Sequence, residues 1–122
     1  MPRQAQPKGE LVGRVIREVL AYRGYASPDA LAKKYLPDRP PLSGRSLRLV
    51  MDSQDPGLDP MKLMRIDGML RLPLHTMEHV LALDADGVER LPWPDGDLSI
   101  RQSIVDAIRE PAPAPRRRRA NG

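Results

Sequence analysis

The chain contains no cysteine, no phenylalanine, one tryptophan and three tyrosines among 122 residues. Without cysteine there is no disulfide framework, no thiolate nucleophile and no thiolate metal ligand. Scarce aromatics, with no Asn-Gly turn set between alternating runs, argue against a β-sheet protein. No run of roughly 18 apolar residues is present, so no membrane-spanning helix is expected. The opening stretch "MPRQAQPKGE" also lacks the apolar segment of a secretory signal. Together these absences lead to the expectation of a cytoplasmic protein.

Charge is plentiful and unevenly placed. Residues 1–50 hold 10 Lys+Arg and 4 Asp+Glu, residues 51–110 hold 6 and 12, and residues 111–122 hold 4 and 0. The net values are +6, −6 and +4, which sum to the +4 of the whole chain, with a pI near 9.8. A basic front, an acidic back and a basic tail point to a polyanionic partner met from one side.

Apolar periodicity predicts about six short helices. Leu11, Val12, Val15, Ile16, Val19 and Leu20 mark the first, from Glu10 to near Gly24. Ser27-Pro28 signals a second start, over about Pro28–Leu36, because Ser caps and Pro fits the first helical position. "PDRPP" (37–41) is a loop, and Ser43 caps a third helix over about Gly44–Asp52. Asp59-Pro60 opens a fourth, with Leu63, Ile66, Met69 and Leu70 inward and Pro73 as its end. A fifth covers about Leu74–Leu83, with Met77, Val80 and Leu81 inward. "DADGVERLPWPDGD" reads as a turn-rich link with a short extended piece around Val88–Leu91. The last helix, Leu98–Arg109, carries Ile100, Ile104, Val105 and Ile108. This is an all-α fold: a compact bundle of about five short helices containing a helix-turn-helix, plus a C-terminal helix and a disordered basic tail. The divisions are 1–9 as a flexible basic arm, 10–83 as the main domain, 84–110 as linker and C-terminal helix, and 111–122 as a Pro/Arg tail.

The second and third helices carry the functional signal. Ala30, Leu31, Ala32, Leu47 and Val50 allow close packing, while Lys33, Lys34, Arg45, Ser46 and Arg48 point outward. Arg45 and Arg48 are three residues apart, close to one face and one turn distant. Small and apolar on one side and basic on the other is what a helix-turn-helix requires.

This stretch resembles the lambda-repressor-like family, also called the XRE or Cro and phage-repressor type, over residues 11–83. Leu31-Ala32, then Leu42-Ser43 with Leu47 and Val50, then Leu63, Ile66, Leu70 and Leu72 follow its pattern. The sequence departs from that pattern in lacking the turn glycine, in inserting "PDRPP", and at Met51, Asp67 and Pro28. The resemblance implies a non-enzymatic, sequence-specific transcriptional regulator of double-stranded DNA, associated with the nucleoid, with no cofactor. Gly44, Arg45, Ser46 and Arg48 are then the expected base-reading residues, since Arg bonds guanine O6 and N7 bidentately. Ser27, Lys33, Lys34, Arg39 and Ser43 are the expected backbone contacts. Arg3 and Lys8 could act as an arm. Arg116, Arg117, Arg118 and Arg119 could clamp DNA or bind an acidic protein.

The apolar stripe of the last helix needs a cover: either its own chain, or a second copy in a homodimer through the fifth and last helices. An alternative function is a protein-interaction module in which the helix-turn-helix binds a host or toxin protein through the acidic half. "HTMEH" (75–79) matches the H-x-x-E-H zinc pattern, but it falls on a predicted helix with no third ligand, so no metal or catalytic site is expected. "DADG" (84–87) reads as a turn rather than a calcium loop, and Trp93 as an anchor for the C-terminal segment.

Overall fold

A computed structural model describes residues 7–52 and 57–110, without the side chains of Pro7 and Lys8. Among the described residues seven α-helices follow one another: α1 (Pro7–Arg23), α2 (Pro28–Lys33), α3 (Gly44–Met51), α4 (Pro60–Leu70), α5 (Thr76–Leu81), α6 (Ala85–Glu89) and α7 (Leu98–Arg109). A single 3₁₀ turn, Asp95–Asp97, leads into α7, and no strand occurs among the described residues. The all-α expectation holds.

Local chemistry explains most boundaries. Ser27, Ser43 and Asp59 each accept a backbone N–H three residues on, from Ala30, Ser46 and Lys62, which satisfies one free donor of each first turn. α1 ends at Arg23, just before Gly24, whose φ of 83° suits glycine; Tyr25 N–H then returns to the Leu20 carbonyl at 2.9 Å.

Four boundaries differ from the sequence reading. α1 starts at Pro7 rather than Glu10, because proline is tolerated at the first helical position and Glu10 suits the first turn. The expected arm of residues 1–9 therefore loses Pro7, Lys8 and Gly9 to a helix. α2 stops at Lys33. Lys34, Tyr35 and Leu36 continue with tighter bonds to carbonyls three residues back, ahead of Pro37. α5 begins at Thr76, since His75 takes φ 77° and the Thr76 hydroxyl donates to the Pro73 carbonyl at 2.6 Å. The extended piece around Val88 is instead α6, capped by Asp84 accepting from Gly87 N–H at 2.9 Å.

α1 is the central element. It packs on α3, α4, α5 and α7, and α2 lies on α3. Val12, Val15, Ile16 and Val19 of α1 join Leu47, Val50, Leu63, Ile66, Met77, Val80, Val88, Ile104 and Val105 in one continuous core. α6 and α7, on the far side of residue 83, complete the core that the earlier helices begin. The stripe of α7 is covered within the chain, with Ile100, Ile104 and Val105 at 3%, 1% and 0% exposure. A second copy is thus not needed to bury these three residues, which was the reason for expecting a homodimer through the fifth and last helices. Trp93 is the anchor expected: half-buried against the core, it donates its indole N–H to the Val88 carbonyl at 2.7 Å.

Two glycines fix where α3 sits. A Cβ on Gly13 would lie about 3.0 Å from the carbonyl carbon of Met51, at the end of α3. A Cβ on Gly44, at its start, would lie 3.1 Å from the Asp29 Cα and collide with the Asp29 carboxylate. α1 thus meets the end of α3 backbone to backbone, and α2 meets its start through the backbone and carboxylate of Asp29.

Candidate nucleic-acid interface

α3 is short, and its two faces are sharply different. Leu47 and Val50 are fully buried, which turns Arg45 and Arg48 outward. Arg45 is exposed and makes no hydrogen bond or ion pair among the described residues. Arg48 is also exposed, but its Nη2 donates to the Asp29 carboxylate of α2. Asp29 lies over the first turn of α3 because Gly44 leaves room for it. A carboxylate there also complements the positive end of the helix.

The other expected contact residues fall into three situations. Gly44 is buried beneath Asp29 and does not share the exposed face of Arg45 and Arg48. Ser27 and Ser43 both accept a backbone N–H at 3.1 Å as caps, and the Ser43 hydroxyl also bonds the half-buried Ser46 hydroxyl at 3.1 Å. Lys33 and Arg39 are exposed, whereas the Lys34 ammonium sits 5.6 Å from the centre of the Tyr25 ring. Arg45, Ser46 and Arg48 are gathered on one helix, with Asp29 beside them. Arg3 and Arg116–Arg119 lie outside the described residues, as does the side chain of Lys8.

Two ion pairs, Arg14–Glu110 and Arg23–Asp97, join the basic front half to the acidic back half, and others form within each half. Arg14 pairs with Glu18 at 3.1 Å and Glu110 at 2.5 Å, and both bonds raise its pKa. Arg109 pairs with Asp86 at 2.9 Å and Glu89 at 3.1 Å. Arg23 binds both oxygens of Asp97 and holds that carboxyl below its ordinary range. The acidic back half therefore partly neutralises the basic front half, while Lys33, Arg39 and Arg45 on the α2–α3 side stay open.

The His segment is likewise committed locally. His75 Nδ1 lies 2.6 Å from Glu78 and His79 Nδ1 lies 3.2 Å from Asp84. Among the described residues, no group of three His, Cys, Asp or Glu side chains is placed to hold a metal ion. Asp84 of "DADG" serves α6 as its cap.

Sequence reasoning missed Asp29, Asp67 and Arg23. Asp29 reads locally as an acidic first-turn residue of α2, and nothing in the sequence ties it to Arg48, 19 positions on. Asp67 is buried on α4 and accepts the backbone N–H groups of His75 and Met77, each at 2.9 Å. It thereby caps α5 from a neighbouring helix, and burial pushes its carboxyl up to about 7 against the pull of those two bonds. No helix among the described residues is long and apolar enough to cross a membrane. No protein family, curated protein or solved structure matches the chain.

Proposed function

We propose that this protein is a sequence-specific double-stranded DNA-binding regulator of the lambda-repressor-like type, with α3 entering the major groove. It is not an enzyme in this reading, and it acts in the cytoplasm on the nucleoid by occluding a promoter. The observation that carries it is Arg45: outward, without a hydrogen-bond or ion-pair partner among the described residues, and beside Ser46 and Arg48 on a helix anchored by Leu47 and Val50. An arginine in that position is free to meet a guanine edge. Lys33 and Arg39, exposed on the adjoining segments, supply phosphate contacts that add affinity without sequence choice.

The alternative, a protein-interaction module docking through the acidic half, is less well supported. Asp86, Glu89, Asp97 and Glu110 of that half are all engaged by arginines of the same chain. Selection of bound sequences from random duplex DNA tests the reading. A defined motif, bound with an affinity that falls steeply as salt rises, is the expected result. A chain that enriches no sequence overturns it.

A further inference from the structure

We propose that Asp29 is a specificity-determining residue that positions Arg48 for base readout and withholds it from phosphates. This rests on the DNA-binding reading above and names a role for a residue that the reading itself leaves unused.

The geometry is a three-part unit. Gly44 lets α2 approach the first turn of α3 so closely that Asp29 overlies it. From there the Asp29 Oδ2 accepts a hydrogen bond from Arg48 Nη2, one turn further along α3. Both side chains are about half exposed, at 48% for Arg48 and 55% for Asp29, so the pair stands on the surface rather than in the core. A free arginine has many rotamers, and ordering them on binding costs affinity. The carboxylate fixes the guanidinium before DNA arrives.

Pairing does not exhaust Arg48. A guanidinium carries five N–H donors, and Asp29 takes one. A guanine O6/N7 edge needs two, so Arg48 can hold Asp29 and a guanine together. The pair is also neutral as a unit. An unpaired arginine is attracted to any phosphate along the duplex, which raises affinity for all sequences alike. Arg48 paired with Asp29 gains little from that attraction and is left to discriminate between bases. Arg45, with no partner among the described residues, feels both forces.

The test compares wild type, Asp29→Asn, Arg48→Ala and the double variant on the selected motif and on the same duplex with single base-pair changes. Thermal melting of each variant is recorded first. Asp29→Asn is expected to tighten binding to unrelated DNA several-fold and to steepen the log K against log salt slope by about one phosphate, near 0.9. Discrimination at one base pair should drop at least tenfold, with no further loss when Arg48→Ala is added. Asp29→Glu, which keeps the carboxylate, should recover part of the discrimination. A merely structural role would lower the melting temperature and leave the salt slope and the discrimination ratio alone. That result overturns the proposal, as does an Asp29→Asn substitution that costs the same factor of discrimination in the Arg48→Ala background as in the wild type, since no Arg48 is then left to position. If Asp29→Asn does not fold, Asp29→Glu and Arg48→Ala carry the comparison, and unchanged discrimination in both overturns it. A wild type that selects no motif overturns the DNA-binding reading and this proposal with it. A wild type that selects a motif, with Asp29→Asn discriminating equally well, overturns this proposal alone.

Discussion

Arg23 and Asp97 meet fork to fork: Nη1 donates to Oδ1 at 2.8 Å and Nη2 to Oδ2 at 3.0 Å, with both side chains largely buried. The same guanidinium donates to the carbonyls of Leu70 and Arg71, at 3.0 and 2.8 Å, which end α4. One side chain therefore joins the end of α1, the end of α4 and the turn before α7. It also lets Arg71, a residue with a side chain, hold φ 57° where glycine is usual.

Arg23→Ala leaves Asp97 and two carbonyls without their donor. The expected loss is about 3–5 kcal/mol, the range for breaking one side of a buried pair. Chemical denaturation measures it, and a loss under about 1 kcal/mol would mean solvent replaces the guanidinium. The double variant with Asp97→Ala should recover part of the loss. Because pairing depresses the Asp97 pKa, its contribution is present above pH 4 and fades as pH falls below the ordinary carboxylate range.

Asp67 has the opposite sign. Burial raises its pKa from 3.8 to about 7, helped by the negative charge of Glu78 and opposed by His75 and the two backbone bonds. The folded state thus binds this proton more tightly than the unfolded chain. Its stability contribution is full below about pH 4 and is lost as pH rises through 7. The span corresponds to an upper bound of roughly 4 kcal/mol. Melting curves from pH 5 to pH 8 should show a falling midpoint, and Asp67→Asn should flatten that slope. The asparagine amide also turns a donor toward one of the two N–H groups, so the variant should be less stable at pH 5. An identical slope in both proteins would show that Asp67 ionises normally.

Much of this fold was legible because its signals are local. Ser27-Pro28, Ser43 and Asp59-Pro60 each mark a helix start within a few residues, and the Ile100–Ile104–Val105 stripe identifies its buried face from spacing alone. α6 was not legible, because five residues are too few to show a 3.6-residue period. Arg23–Asp97 and Arg48–Asp29 were not legible because each joins residues brought together only by tertiary packing. The candidate site divides in the same way. The outward placement of Arg45 and Arg48 follows from Leu47 and Val50, but the burial of Gly44 depends on where α2 lands.

Ile104 tests whether the intrachain cover of α7 is the whole story. It is 1% exposed among the core side chains. Ile104→Asp should unfold the protein or lower its melting point sharply, because it buries an unpaired charge. Sedimentation of the wild type should show no association that depends on this residue. A folded, monomeric Ile104→Asp protein derived from a dimeric wild type would reverse that assignment.

Two glycines in helices should respond in opposite directions to the same change. Gly68→Ala meets nothing within 4 Å and should stabilise α4 by about 0.5–1 kcal/mol through propensity alone. Gly13→Ala gains the same propensity but forces its methyl against the Met51 backbone, which has no rotamer with which to yield. A net loss of roughly 1–3 kcal/mol is expected. Denaturant midpoints for the pair check it; a stabilising Gly13→Ala would show that α1 and α3 slide apart at little cost.

Arg45 separates base reading from simple attraction on the proposed DNA face. It is exposed and makes no hydrogen bond or ion pair among the described residues, so melting of Arg45→Ala should match wild type within about 0.5 kcal/mol. On the selected motif, Arg45→Ala should cost about 1–3 kcal/mol and relax preference at one base pair. Lys33→Ala provides the contrast: it should weaken binding to every sequence alike and reduce the salt slope by about one phosphate. Arg45→Lys keeps the charge and loses the two-pronged geometry. It should retain the salt slope of the wild type while losing most of the preference. Equal losses for Arg45→Ala on cognate and random duplexes, with Arg45→Lys indistinguishable from wild type, would place Arg45 on a phosphate and move base readout to another part of the helix.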